Sequence, residues 1–147
     1  MRRLLIGAAV FTVLFGTAAA MADEPIILHC EGQGVFINSS LHASIPATVS
    51  AYYRITLTTF EIFSDKTGKF SANVCEEKWY KCDLSQAKYS YSFNVPNKNG
   101  HGFVMTDGVS IDQKTGNYVS STALMNGESH QDITGLCRQS QAPAPSP

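Results

Sequence analysis

Four cysteines carry the clearest chemistry in this chain: Cys30, Cys75, Cys82 and Cys137. Thiols in that number form disulfides or bind zinc, and spacing separates the two uses. The central pair, Cys75 and Cys82, has six residues between its members. Structural zinc sites use closer pairs, about two to four residues apart. An even count in a small exported chain reads as two disulfides. Four cysteines allow three pairings, and Cys30–Cys137 with Cys75–Cys82 is the favoured one. The first would tie the opening strand to the closing strand, and the chain-entropy model gives it about 4–5 kcal/mol. The second closes a short loop, Cys75-Glu76-Glu77-Lys78-Trp79-Tyr80-Lys81-Cys82.

That loop holds the single tryptophan of the chain. A rigid loop tipped by aromatics suits recognition, because little ordering entropy is lost when it binds. Glu76, Glu77, Trp79 and Tyr80 are therefore the candidate binding residues. The alternative is that Trp79 and Tyr80 cap the core at one end of a barrel, as large rings do in small domains.

Catalytic patterns are sparse. His29, His42, His101 and His130 are scattered, with no H-x-x-x-H or H-E-x-x-H pair. No G-x-S-x-G nucleophile elbow is present. His101, Asp107 and Asp112 form the nearest constellation and read as solvated turn and strand-end groups. Asp65-Lys66-Thr67-Gly68 matches the first four residues of the D-K-T-G-T signature of ion-pumping ATPases, with Lys69 in the fifth place. A small exported domain has no room for the rest of a pump. The run Val109 to Tyr118 repeats the feature 48 residues later with Lys114-Thr115-Gly116. Two copies between extended runs make it a turn device, in which Asp bonds its own backbone and Gly supplies positive φ. No catalytic residue, metal or cofactor is assigned.

The elements that would position these groups begin after an export signal. Met1-Arg2-Arg3 is a basic start, Leu4 to Phe15 is apolar, and Ala20-Met21-Ala22 is a small-residue cleavage site. The apolar part is short for a transmembrane helix. No cysteine stands at the cleavage point, so a lipoprotein is not expected. Cleavage after Ala22 would leave 125 residues, about one domain, with 9 basic and 12 acidic residues. That balance lacks the basic patch that nucleic acid or an anionic membrane calls for. Residues 23–138 read as one domain and 139–147 as a disordered Ala/Pro tail.

The domain reads as seven or eight strands with no helix. Lys88 to Val95 alternates cleanly, with Tyr89, Tyr91, Phe93 and Val95 on one face. Residues 26–30 form a first strand, which Glu31-Gly32-Gln33-Gly34 is expected to break. Asn38 to Pro46 reads as a loop. Thr48 to Phe63 is one bulged strand or two strands, since its alternation changes phase near Thr58-Thr59. Asn99-Gly100 and Asn126-Gly127 are hairpin turns by type. The expected architecture is an all-β antiparallel meander closed, or nearly closed, into a small barrel; a two-sheet sandwich is the alternative. The aromatic surplus would fill such a barrel or line a cavity in it.

With Cys30 early, Ile111-Asp112-Gln113-Lys114-Thr115-Gly116 late and Gly135-Leu136-Cys137 near the end, the chain resembles a group of uncharacterised small secreted β-rich proteins of Gram-negative bacteria. The resemblance spans most of the mature chain and implies a periplasmic or secreted location without an activity. Lipocalins would show an early G-x-W, whereas Trp79 lies mid-chain. The expected function is an exported, non-enzymatic interaction or inhibitor-like module that meets an envelope protein. A carrier of a small apolar ligand is the second reading, and a hydrolase without a recognisable motif the third.

Overall fold

Alternating apolar and polar residues rich in Val, Ile, Thr and Tyr favour pleated strands. The computed structural model describes residues 24–97, 102–124 and 128–144, and nearly all of its regular structure is extended. The expected export signal lies outside the described residues, as do His101 and the Asn99-Gly100 and Asn126-Gly127 turns.

The strands are β1 (Ile26–Asn38), β2 (Ala43–Ile55), β3 (Phe60–Ser64), β4 (Lys69–Phe70), β5 (Tyr80–Leu84), β6 (Lys88–Pro96), β7 (Phe103–Asp112), β8 (Asn117–Leu124) and β9 (Ser129–Gln139). A 3-10 turn, Val74–Glu76, lies between β4 and β5. The strands make one antiparallel sheet in the order β4-β3-β2-β1-β9-β8-β7-β6-β5. It is an all-β half-barrel, a single curled sheet and not a two-sheet sandwich. Both disulfides form as expected, Cys30–Cys137 and Cys75–Cys82.

The first and last strands do pair, and Cys30 faces Cys137 as a direct partner. The opening in the sheet falls mid-chain instead, between β4 and β5. Inside the curl sit Cys30, Tyr53, Ile55, Phe60, Tyr91, Val109, Ile111, Tyr118, Ile133 and Cys137, all buried. Phe60 of β3 meets Tyr91 of β6 edge-to-face at 5.1 Å, so rings bridge the two halves of the sheet. Each fully buried large apolar side chain adds about 1.5–3 kcal/mol to the drive for burial.

Several local expectations change. β1 runs unbroken through Glu31-Gly32-Gln33-Gly34. These glycines permit a close approach of strands: a Cβ on Gly34 would stand 1.7 Å from the carbonyl oxygen of Asp132. The loop expected over Asn38–Pro46 shrinks to a turn at 39–42, and Pro46 lies in β2 opposite Val35. β3 pairs only with Tyr53 to Ile55, so β2 has a partner on one side at Pro46, where a missing N–H is tolerated. Thr48–Phe63 is two strands. Thr56 Oγ1 turns the chain between them by accepting from the N–H groups of Thr58 and Thr59 at 3.1 and 3.0 Å.

The two repeated turns share a frame. Gly68 N–H donates to the Ser64 carbonyl and Gly116 N–H to the Asp112 carbonyl, both at 2.8 Å. Both glycines have positive φ, 64° and 74°. Ser64 therefore corresponds to Asp112, and Asp65 corresponds to Gln113. The carboxylate that caps the turn is Asp112 alone: its Oδ1 accepts from Thr115 N–H at 2.7 Å, Thr115 Oγ1 at 2.8 Å and Lys114 N–H at 3.0 Å.

Candidate functional site

The short segment after β4 is polar and irregular, and it closes the sheet edge with side chains. Ser71 Oγ accepts from Ile62 N–H at 3.0 Å, and Ser71 N–H donates to the Ile62 carbonyl at 2.9 Å. Asn73 Oδ1 accepts from Phe60 N–H at 3.0 Å and from Cys75 N–H at 3.1 Å, capping the 3-10 turn. Val74 is buried beneath that turn. Cys75 then bonds Cys82 of β5, with Cα atoms 5.6 Å apart. The clamp thus links the β3–β4 side of the opening to the β5 side.

Within the clamped loop the four candidate residues divide. Trp79 is 42% exposed, with Lys78 Nζ 4.6 Å from its ring centre. Its carbonyl accepts from Asn94 N–H at 3.2 Å, which pins the loop backbone to β6. Tyr80 turns the other way and packs 4.6 Å from Phe93 and 5.5 Å from Tyr91. Burial, then the nearby Asp107 carboxylate, pushes the Tyr80 phenol above its ordinary pKa. Glu76 and Glu77 are exposed, and Glu76 accepts from the Asn73 amide at 3.1 Å. The loop therefore presents one indole, two ammonium groups (Lys78 and Lys81) and two carboxylates on a backbone fixed at both ends.

Asp107 is not a solvated strand-end group. It lies part-buried on the inner face of β7, where Oδ2 accepts from Tyr91 OH at 3.0 Å and Oδ1 from Thr122 Oγ1 at 2.7 Å. Alternation along β7 places it inward, two positions from buried Val109. Asp112 is exposed in its turn, as expected. Burial, more than any neighbour, pushes the Tyr53 and Tyr91 phenols far above their ordinary range. The middle of the half-barrel is filled by these rings. A cleft of about 350 Å³ lies at the turn end, between Ile26, Leu28, Tyr89, Ile111 and the Asp112–Gly116 turn.

The opposite face of β2, β1 and β9 carries a feature that the sequence reading missed. A trough of about 820 Å³ is bordered by His29, Glu31, Gln33, Thr48, Ser50, Thr134 and Arg138 among others. His29 Nε2 and Ser50 Oγ stand 2.8 Å apart, a hydrogen-bonded imidazole and hydroxyl. Among the described residues no carboxylate is hydrogen-bonded to that imidazole, so the orienting third member of a hydrolase triad is missing. The polar period of residues 29, 31 and 33 was the one available signal. It is also what any solvated strand face shows.

Among the described residues no three His, Cys, Asp or Glu side chains group as a metal site. No helix of the described residues is long and apolar enough to cross a membrane. Two disulfides fit an oxidising compartment outside the cytosol. The chain matches no protein-family model and no curated protein.

Proposed function

We propose that this chain is an exported, non-enzymatic module that binds a protein partner through the Cys75–Cys82 loop. One observation carries the reading: Trp79 is 42% exposed on a loop held by a disulfide, while its neighbour Tyr80 is anchored in the core. An indole with 42% of its surface in water leaves a large apolar area uncovered at a fixed position. Against a partner it offers a large, rigid contact at small entropic cost. Lys78, Glu76 and Glu77 around it supply charges that set orientation more than strength.

The export signal read over residues 1–22 and the two disulfides support a periplasmic or extracellular module, whose partner is an envelope protein. The test is capture from envelope extract by purified mature protein, followed by emission from its single tryptophan. The captured partner should be lost with Trp79→Ala, and its addition to the native protein should shift Trp79 emission to the blue. Capture that survives Trp79→Ala with no emission change would reject the reading.

A further inference from the structure

We infer that the trough on the outer face of β2, β1 and β9 is a binding site for a neutral glycan, separate from the Trp79 loop. β1 is laddered on both sides, to β2 and to β9, so its backbone N–H and C=O groups are spent within the sheet. A peptide strand, which binds by extending a ladder at a free edge, has no ladder to join here. Hydrogen bonds to a ligand must come from side chains.

Those side chains are neutral hydroxyls and an amide, set beside the exposed apolar side chain of Leu136. Thr48 and Thr134 both pair in register with Gln33, and Ser50 pairs with Glu31. Gln33, Thr48, Ser50 and Thr134 are all exposed. The charged members are Arg138 and Glu31, one of each sign. A phosphate or nucleic-acid site would need clustered cations without a carboxylate among them. A wholly apolar ligand would cover Leu136 but leave the hydroxyls, the amide and the two charges around it without partners. A polyhydroxylated ligand fits this mixture, since each sugar hydroxyl both donates and accepts, as serine and threonine do. The volume, about 820 Å³, lies inside the range of clefts that hold small-molecule ligands, roughly 300–1,000 Å³.

A second observation supports the same ligand. The trough wall at His29 continues as a row of rings across four strands, all on the face away from the core. His29 stacks on Tyr52 at 4.2 Å, Tyr52 meets Phe63 at 6.1 Å, and Phe63 meets Phe70 at 5.3 Å. Each of these rings is only half-buried. Aromatic rings beside hydroxyl and amide groups match the two surfaces of a sugar, its apolar C–H face and its polar rim.

The test is an NMR titration of the disulfide-intact mature protein with triacetylchitotriose and with maltotriose, each at millimolar concentration. At least one sugar should shift the amide signals of His29, Glu31, Gln33, Ser50 and Thr134 and leave the Lys78–Trp79 signals in place. The double variant Gln33→Ala, Ser50→Ala should weaken that binding at least tenfold with an unchanged melting temperature. Its capture of the loop's partner should also be unchanged, so this inference and the proposed function fail separately. No shift with either sugar would overturn the inference. So would shifts confined to the Cys75–Cys82 loop, or shifts with inorganic phosphate but not with sugar.

Discussion

Tyr53 and Tyr118 meet hydroxyl to hydroxyl at 3.1 Å inside the half-barrel, from strands that β1 and β9 separate in the sheet. The contact spans the curl, joins residues 65 apart in sequence, and is buried. Removing one hydroxyl strands the other. Tyr53→Phe should therefore cost about 1–3 kcal/mol, and adding Tyr118→Phe should cost less than the sum of the singles. Urea unfolding of the three variants measures the coupling.

Burial also sets how the inner phenols titrate. Tyr53 and Tyr91 have folded pKa values raised above the ordinary phenol value, which is near 10. A raised acid favours the neutral form in the fold. Its contribution is fully present below about pH 10 and is lost as pH rises through the raised folded value. Phenolate absorbance should show these two tyrosines ionising only as near-UV circular dichroism collapses. Ionisation of all six tyrosines near pH 10 with the fold intact would contradict the packing described.

Asp112 titrates at the other end of the scale. The backbone N–H of Thr115 first, then its hydroxyl and the Lys114 N–H, hold the Asp112 carboxyl below its ordinary value. A depressed carboxylate contributes above its unfolded pKa, near 4, and the contribution is lost as pH falls through the lower folded value. Asp112→Asn should flatten the acid limb of the stability curve between the native turn's pKa and pH about 4. An acid limb identical to that of the native protein would show that the turn does not depend on this carboxylate.

The two disulfides should differ in weight. Cys30 and Cys137 are 107 residues apart and Cys75 and Cys82 are 7 apart. The chain-entropy model gives about 4–5 kcal/mol for the first and about 2–3 for the second. Paired serine substitutions followed by denaturant melts should reproduce that order. Loss of the short bridge should also loosen the Trp79 loop and weaken capture in a domain that still folds.

What could be read from residues alone was local. The strand alternation of Lys88–Val95, the two turn copies and the cysteine pairing all rest on short-range pattern or on chain ends that must meet. Gly32 and Gly34 misled because glycine usually punctuates strands, whereas here it lets β1 and β9 approach. The trough was invisible for a related reason. His29, Glu31 and Gln33 look like any wet strand face until the register brings Thr48, Ser50, Thr134 and Arg138 alongside. Asp107 likewise becomes an interior group only once β6 and β8 deliver Tyr91 and Thr122 to it. The loop residues Trp79 and Tyr80 were legible as a pair of aromatics. Their opposite roles were not, because packing against Phe93 decides which ring turns in.

The most direct measurement of the central claim compares Trp79→Ala with Tyr80→Ala, reading melting temperature and partner capture for each. An exposed anchor and a core ring should separate cleanly. Trp79→Ala should keep its melting temperature and lose about 2 kcal/mol or more of binding, about thirty-fold in affinity. Tyr80→Ala should lose about 1–3 kcal/mol of stability. The reverse pattern, with Trp79→Ala unfolding the domain or capturing its partner as tightly as the native protein, would contradict the account.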